Sequence, residues 1–263
     1  MCQDCGCDIK HHHHHDHPHD YGHGHSHERA HKGPLGALHA AGTSGSRAVE
    51  VEENILSEND RLAASNRALF AAHKILPLNL VSSPGSGKTT LLTKTLSSDR
   101  LKGAVIEGDQ STEFDAARIK ETGAPALQIN TGRGCHLDAH MIAHALIDIG
   151  IPSGDLDRYV LFIENVGNLV CPASYDLGEA AKVVLLSVTE GDDKPAKYPD
   201  MFAASKLMVI TKTDLLPHVS FDVERCIGFA RNINPDIEII KLSSQTGEGM
   251  DEWLSWIEAQ ITV

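Results

Sequence analysis

The sequence predicts an α/β fold with a mostly parallel sheet covered by helices on both faces. Three observations carry that expectation. Seven short runs rich in Val, Ile and Leu recur along the chain, at 76–82, 103–109, 126–130, 159–165, 181–188, 206–212 and 237–243. They are continuous in hydrophobicity rather than alternating, as strands buried on both faces are. Helix-sized segments separate them, which is the spacing that parallel crossover connections require.

The first 45 residues do not belong to that pattern. They hold Cys2, Cys5 and Cys7, then HHHHHDHPHDYGHGHSHERAH, then a Gly/Ser/Ala stretch. Apolar residues there are too sparse to build a core, so 1–45 is expected to be a disordered arm and linker and 46–263 a folded domain. Folded structure is expected from about Ala48, where 48–74 has few helix breakers and apolar residues at helical spacing. The chain has 263 residues, 41% of them hydrophobic, and a formal charge of −13. That charge argues against broad attraction to nucleic acid or to an anionic membrane. No run approaches the roughly 18 apolar residues of a membrane span. The N-terminus MCQDCGCDIK lacks the apolar core of a signal peptide, so a cytoplasmic location is expected.

The first strand runs into Ser82-Ser83-Pro84-Gly85-Ser86-Gly87-Lys88-Thr89-Thr90 and then into a helical segment. This is the phosphate-loop pattern G-x-x-x-x-G-K-[ST], with Ser82 in place of the first Gly. Gly85 and Gly87 let backbone N–H groups, together with those of Ser86 and Thr90, wrap phosphates without Cβ clashes. Lys88 is placed for the β- and γ-phosphates and the Thr89 hydroxyl for Mg²⁺, and the next helix presents its positive end to the same anion. Two strand ends then supply carboxylates, Asp109 in IEGDQ and Glu164 in FIENVGN. Gly167 lies three residues beyond Glu164, at the spacing of the D-x-x-G that meets a γ-phosphate in GTPases.

Thr211-Lys212-Thr213-Asp214 resembles the guanine-reading N-K-x-D. Asp214 offers two acceptors to the two donors of the guanine edge, and the Lys212 stem can lie along the base. Thr211 stands where the pattern has Asn, so a weaker anchor for the loop is expected. Ser243 and Ser244 in LSSQTGEGM resemble the last guanine-binding loop. GTP is therefore expected over ATP.

Six cysteines in a large chain without an export signal do not read as a disulfide framework. Cys226 sits at an apolar helical position and reads as core. Cys135 is followed by His136, with His140 and His144 at four-residue steps, so a helix starting near Leu137 would put the latter two on one face. They read either as ligands or as ordinary helix-face residues. Cys171 lies four residues beyond Gly167. A thiolate and imidazole set suits Zn²⁺, Ni²⁺ or Cu ions. Cys2-x-x-Cys5-x-Cys7 can close around a metal without a folded scaffold. HHHHH alone would match a purification tag, but the histidines continue at irregular spacing to His31, which favours a native metal-loading arm.

GDQ, TGRGCHLDAHM, ENVGNLVCPA, SVTEGDDKPAKYP and TKTDLL, in that order after a phosphate loop, resemble the hydrogenase nickel-incorporation GTPases, the HypB family. The urease accessory GTPases are similar in fold but carry a Cys-Pro-His triplet that this chain lacks. The resemblance implies a GTPase that delivers nickel to the large subunit of [NiFe] hydrogenase, helped by a companion nickel metallochaperone. It implies a metal site of Cys135, His136 and Cys171, with His140 as an extra ligand, at the interface of a GTP-dependent homodimer. It implies that Asp109 and Glu164 surround Mg²⁺ with Thr89, and that Lys197 reaches the partner subunit's nucleotide. Two other readings stand beside it: a nickel or zinc store with a regulatory GTPase domain, and a metal-dependent hydrolase.

Overall fold

The computed structural model describes residues 43–109, 114–132, 134–150 and 159–261. The cysteines Cys2, Cys5 and Cys7 and the histidine tract lie outside the described residues. Helix α1 (Thr43–Ala72) is one continuous element that starts five residues before the position expected from the sequence. Seven strands follow: β1 (Ile75–Ser82), β2 (Lys102–Asp109), β3 (Ala126–Asn130), β4 (Tyr159–Gly167), β5 (Ala181–Ser187), β6 (Leu207–Thr211) and β7 (Glu238–Lys241). Each coincides with a predicted strand to within a few residues.

All the pairings between these strands are parallel, in the order β3-β2-β4-β1-β5-β6-β7. Alternate residues of one strand feed opposite faces. In β5, Val183 and Leu185 join Leu91 and Leu92 of α2 (Lys88–Leu96), Ile119 of α3 (Phe114–Lys120) and Trp253 of α8 (Met250–Ile261). Val184 and Leu186 join Phe202 of α6 (Pro199–Ala204) and Cys226 of α7 (Val223–Ile233) on the other face. Further along that second face, α4 (Ala139–Ile149) packs Ile142 and Leu146 with Phe70 of α1 on Ile106, Leu161 and Ile163. Cys226 is fully buried, as its apolar helical position predicted. A short helix, α5 (Lys194–Lys197), follows β5.

The strand order places β1 between β4 and β5, so chain neighbours diverge on either side of it. In open parallel sheets ligands bind at the carboxyl ends of the strands where the order switches in this way. Among the described residues, the phosphate loop follows β1, Asp109 ends β2, Gly167 ends β4 and Lys212 follows β6. Among the described residues no helix is long and apolar enough to cross a membrane.

Candidate nucleotide and metal site

The phosphate loop leaves β1 at Ser82 and turns into α2. Gly85 and Gly87 have φ of 74° and 98°, left-handed values that favour glycine, so the two glycines of the motif are where the backbone needs them. Ser82, the departure from the motif, is fully buried, and its Oγ accepts from Lys88 Nζ at 2.8 Å and from Ser86 Oγ at 2.6 Å. The hydroxyl thus holds the lysine and the loop in place. Thr211 Oγ1 donates to the Ser86 carbonyl at 2.7 Å, and Lys212 Nζ to that of Gly85 at 2.7 Å. Thr211, at the position where a weaker anchor was expected, thus holds the loop through its hydroxyl.

Facing the loop is a cavity of about 620 Å³ lined by residues 84–90, Lys212, Arg118, the carboxylates Glu107, Asp109, Asp115 and Glu164, residues 165–168, and Cys135. Glu164 accepts from Thr89 Oγ1 at 2.8 Å through Oε1, while its buried Oε2 has no hydrogen-bond partner. Glu107 stands opposite Glu164 in the β2–β4 register, and its Oε2 is also buried without a hydrogen bond. Burial, followed by the charge of Glu164, pushes the Glu107 carboxyl up to about 8. Burial also raises Glu164, against the opposing effects of Lys88 and Thr89, and burial lowers Lys88. An orphaned carboxylate oxygen beside a hydroxyl is part of the donor set of a hard divalent cation, so Thr89 and Glu164 fit Mg²⁺, with Asp109 lining the same cavity. Asp109 also takes the Thr131 N–H on its carbonyl at 3.0 Å.

Asp214 lies in the 3₁₀ turn Thr213–His218, and its carboxylate accepts from the Ser243 hydroxyl. The two segments expected to read guanine are therefore in contact. Ser244 follows directly in the same loop. Lys197 is on the surface and pairs with Asp193 at 2.8 Å. Its neighbour Lys194, which sequence reasoning passed over, donates to Ser83 Oγ of the phosphate loop at 3.0 Å.

Cys135, His136 and Cys171 come together, their donor atoms all within 4.8 Å of one another, as the one such group among the described residues. Cys135 Sγ is 2.8 Å from Cys171 Sγ and 3.6 Å from His136 Nδ1. The Cys171 contact and burial push the Cys135 thiol above its ordinary value. Burial lowers His136, against the charge of Asp138, which favours the neutral imidazole, the form that ligates metals. Its ring rests on Tyr175, centroids 3.9 Å apart. Asp138 caps α4 by accepting from Met141 N–H at 2.8 Å, so the helix starts at Ala139, two residues later than expected. His140 and His144 do share a face, with Nε2 atoms 3.1 Å apart, but His140 is outside the Cys135 group and lines a separate cavity with α1 residues.

Two asparagines of α1 bring the cysteine segments together. Asn59 accepts from the Ala139 N–H at 2.9 Å and donates to the Asp176 carbonyl at 2.8 Å. Asn66 donates to the carbonyls of Ala139 and Leu177 at 2.9 and 3.1 Å. Each therefore ties the start of α4, just after Cys135, to the loop that follows Cys171. A third tie comes from the end of β4, where Asn168 Nδ2 donates to the Cys135 carbonyl at 3.2 Å. Glu107, Asp115 and Arg118 were not singled out from the sequence, nor were Asn59, Asn66 and Asn168.

A parallel sheet with a phosphate loop and a carboxylate-lined cavity at its switch point defines a P-loop nucleotide-binding protein. Residues 77–241 match the family model described as the CobW/HypB/UreG nucleotide-binding domain. The chain is 63% identical over 231 residues to the hydrogenase maturation factor HypB of Azotobacter vinelandii, covering 87% of this chain and 75% of that one. It is 62% identical over 224 residues to HypB of Escherichia coli K12, covering 84% and 76%. The crystal structure of HypB from Helicobacter pylori in complex with nickel superposes with a TM-score of 0.73 at 39% identity, over 78% of this chain and 95% of that one. HypB from Archaeoglobus fulgidus gives a TM-score of 0.71 at 40% identity, over 78% and 99%. This chain belongs to the HypB family of hydrogenase maturation factors.

Proposed function

We propose that this protein hydrolyses GTP and uses the nucleotide state to bind and release nickel for the large subunit of [NiFe] hydrogenase, together with a companion nickel metallochaperone. Lys88 and the N–H groups of 85–90 would hold the phosphates. Asp214 would select guanine, with Lys212 along the base and Ser243 and Ser244 closing the base loop. Mg²⁺, held by Thr89, Asp109 and Glu164, would neutralise charge on the phosphates. Nickel, the cargo, would bind Cys135, His136 and Cys171, and His140 would join them by parting from His144. Zn²⁺ suits the same soft donors. Cys2, Cys5, Cys7 and the histidines of the 1–45 arm would load or store nickel, and imidazole sites of that kind empty as pH falls below about 6.

The observation that carries this reading is the eight-residue path from Glu164 to Cys171. Glu164 holds the Thr89 hydroxyl, Gly167 packs against Pro84 of the phosphate loop, Asn168 holds the Cys135 carbonyl, and Cys171 faces Cys135. A γ-phosphate that orders Gly167 would move a metal ligand four residues away, and linkage makes the effect reciprocal. In a GTP-dependent homodimer in the cytoplasm, a second copy would complete the metal site and Lys197 would approach the partner's nucleotide. Arg118 lines the cavity, and hydrolysis slow enough for the GTPase to act as a timer is expected. Cys171→Ala should lose nickel affinity at this site and the dependence of that affinity on nucleotide. Unchanged affinity with GDP and with a non-hydrolysable GTP analogue would sink the proposal. A storage role is the second reading, favoured by the histidine tract. Deleting 1–45 then impairs maturation only at low nickel, whereas a role in transfer predicts failure at all nickel levels.

A further inference from the structure

Building on the nucleotide reading, we propose that Glu107 is an additional residue that holds the hydrated divalent cation at the phosphate site. The chain would thus use three carboxylates there rather than the two at the strand ends. Glu107 and Asp109 are two apart on β2, so their side chains leave the same face of the sheet. Glu107 and Glu164 are register partners on adjacent strands, whose backbones lie about 4.8 Å apart. Both line the cavity below the phosphate loop.

The Glu107 side chain is placed as a site rather than as a solvated acid. The residue is only 3% exposed, and its Oε2 is buried with no hydrogen-bond partner. A buried carboxylate oxygen without a partner is costly, and a second one on the next strand adds repulsion. The chain supplies little to offset it. Lys88 Nζ is engaged by Ser82 Oγ and Thr89 Oγ1 by Glu164, so neither gives Glu107 a hydrogen bond, and Lys88 acts on it only through its charge. Glu107, Asp109, Asp115 and Glu164 line one cavity with Lys88, Arg118 and Lys212. A divalent cation there offsets the acidic groups and admits a polyanionic nucleotide. Mg²⁺ dehydrates reluctantly and keeps several waters when bound by one or two carboxylates. A third carboxylate set deeper in the wall is suited to accept hydrogen bonds from those waters.

The test is a Mg²⁺ titration of fluorescent GDP binding to the full-length protein, for wild type, Glu107→Gln and Glu107→Asp. Losing a charge-assisted contact to a cation-bound water should raise the Mg²⁺ concentration for half-maximal tightening by about tenfold in Glu107→Gln. GDP affinity without Mg²⁺ should not fall, because Glu107→Gln keeps the size of the side chain and takes away no group that attracts phosphate. Glu107→Asp keeps the charge and should return the half-point to within about threefold of wild type. A Glu107→Gln half-point within about twofold of wild type would overturn the proposal. So would a parallel loss of Mg²⁺-free GDP affinity, which marks a packing role. A wild-type protein whose GDP binding ignores Mg²⁺ overturns the nucleotide–metal reading itself, and this one with it.

Discussion

Gly167→Ala is the perturbation that bears most directly on the contact between β4 and the phosphate loop. A Cβ built at Gly167 falls 2.9 Å from Pro84 Cγ and 3.0 Å from both Pro84 Cα and Pro84 N. Ordinary carbon contacts lie near 3.5–4.0 Å, so the loop or the strand must retreat by about half an ångström or more. Pro84 has little freedom, since its ring fixes φ and the loop around it is pinned through the Ser86 and Gly85 carbonyls. Gly167 has no positive φ, so alanine adds no backbone strain there and the steric term stands alone. Overpacking of this kind costs about 1–3 kcal/mol, equivalent to about a 5- to 150-fold loss of nucleotide affinity if the loop yields. The assay is fluorescent-GDP titration beside a thermal melt. Gly228→Ala is the control: a Cβ at Gly228 meets nothing within 4 Å, and the residue sits in α7, so alanine should raise stability by about 0.4–1 kcal/mol. Wild-type affinity in Gly167→Ala would refute the argument. A lower melting temperature with unchanged affinity would refute it too, because the strand, and not the loop, would then have yielded.

Three further outcomes are expected. Cys226 is buried and its thiol is pushed up to about 12, so at pH 8 it should resist alkylation in the native protein, while the half-buried Cys135 and Cys171 react, Cys135 more slowly than a free thiol because its own is raised, as read by peptide mass mapping. Added nickel should protect Cys135 and Cys171 and leave Cys226 unaffected. Asn59→Ala strips the Ala139 N–H and the Asp176 carbonyl of their partner and should cost about 1–3 kcal/mol in chemical denaturation. It should also weaken nickel binding more than GDP binding, because Asn59 ties the two cysteine segments and touches no phosphate-site residue. Asp214→Asn should narrow the preference for GTP over ATP by at least about tenfold in competition binding, since its acceptors would no longer match the guanine donors.

The strands were legible because continuous Val, Ile and Leu runs leave few alternatives once helix-sized segments separate them. The phosphate loop was legible because its glycines answer a local backbone requirement, seen in the positive φ of Gly85 and Gly87. Cys135, His136 and Cys171 could be named from spacing and family resemblance, though only the fold brings positions 36 residues apart within 2.8 Å. Glu107 was not legible. In IEGDQ it reads as an interruption of a strand, and its meaning lies in its register with Glu164, which no local pattern encodes. Asn59 and Asn66 share a buried stripe with Ala63 and Phe70 at helical spacing. Periodicity finds such a helix but cannot say which backbone groups two buried amides will hold. Ser82 and Thr211 are departures from the motifs, and their hydroxyls hold the lysine and the loop.

The central claim is that nucleotide and nickel are linked through the segment from Glu164 to Cys171. It is tested most directly by measuring the affinity for a non-hydrolysable GTP analogue and for GDP, each with and without nickel, in wild type and in Cys135→Ala. Linkage at a typical coupling of about 1–3 kcal/mol predicts that nickel shifts the ratio of the two nucleotide affinities by about 5- to 150-fold in wild type, and that Cys135→Ala abolishes the shift. A ratio that nickel leaves unchanged in wild type, or a shift that survives in Cys135→Ala, would contradict the account.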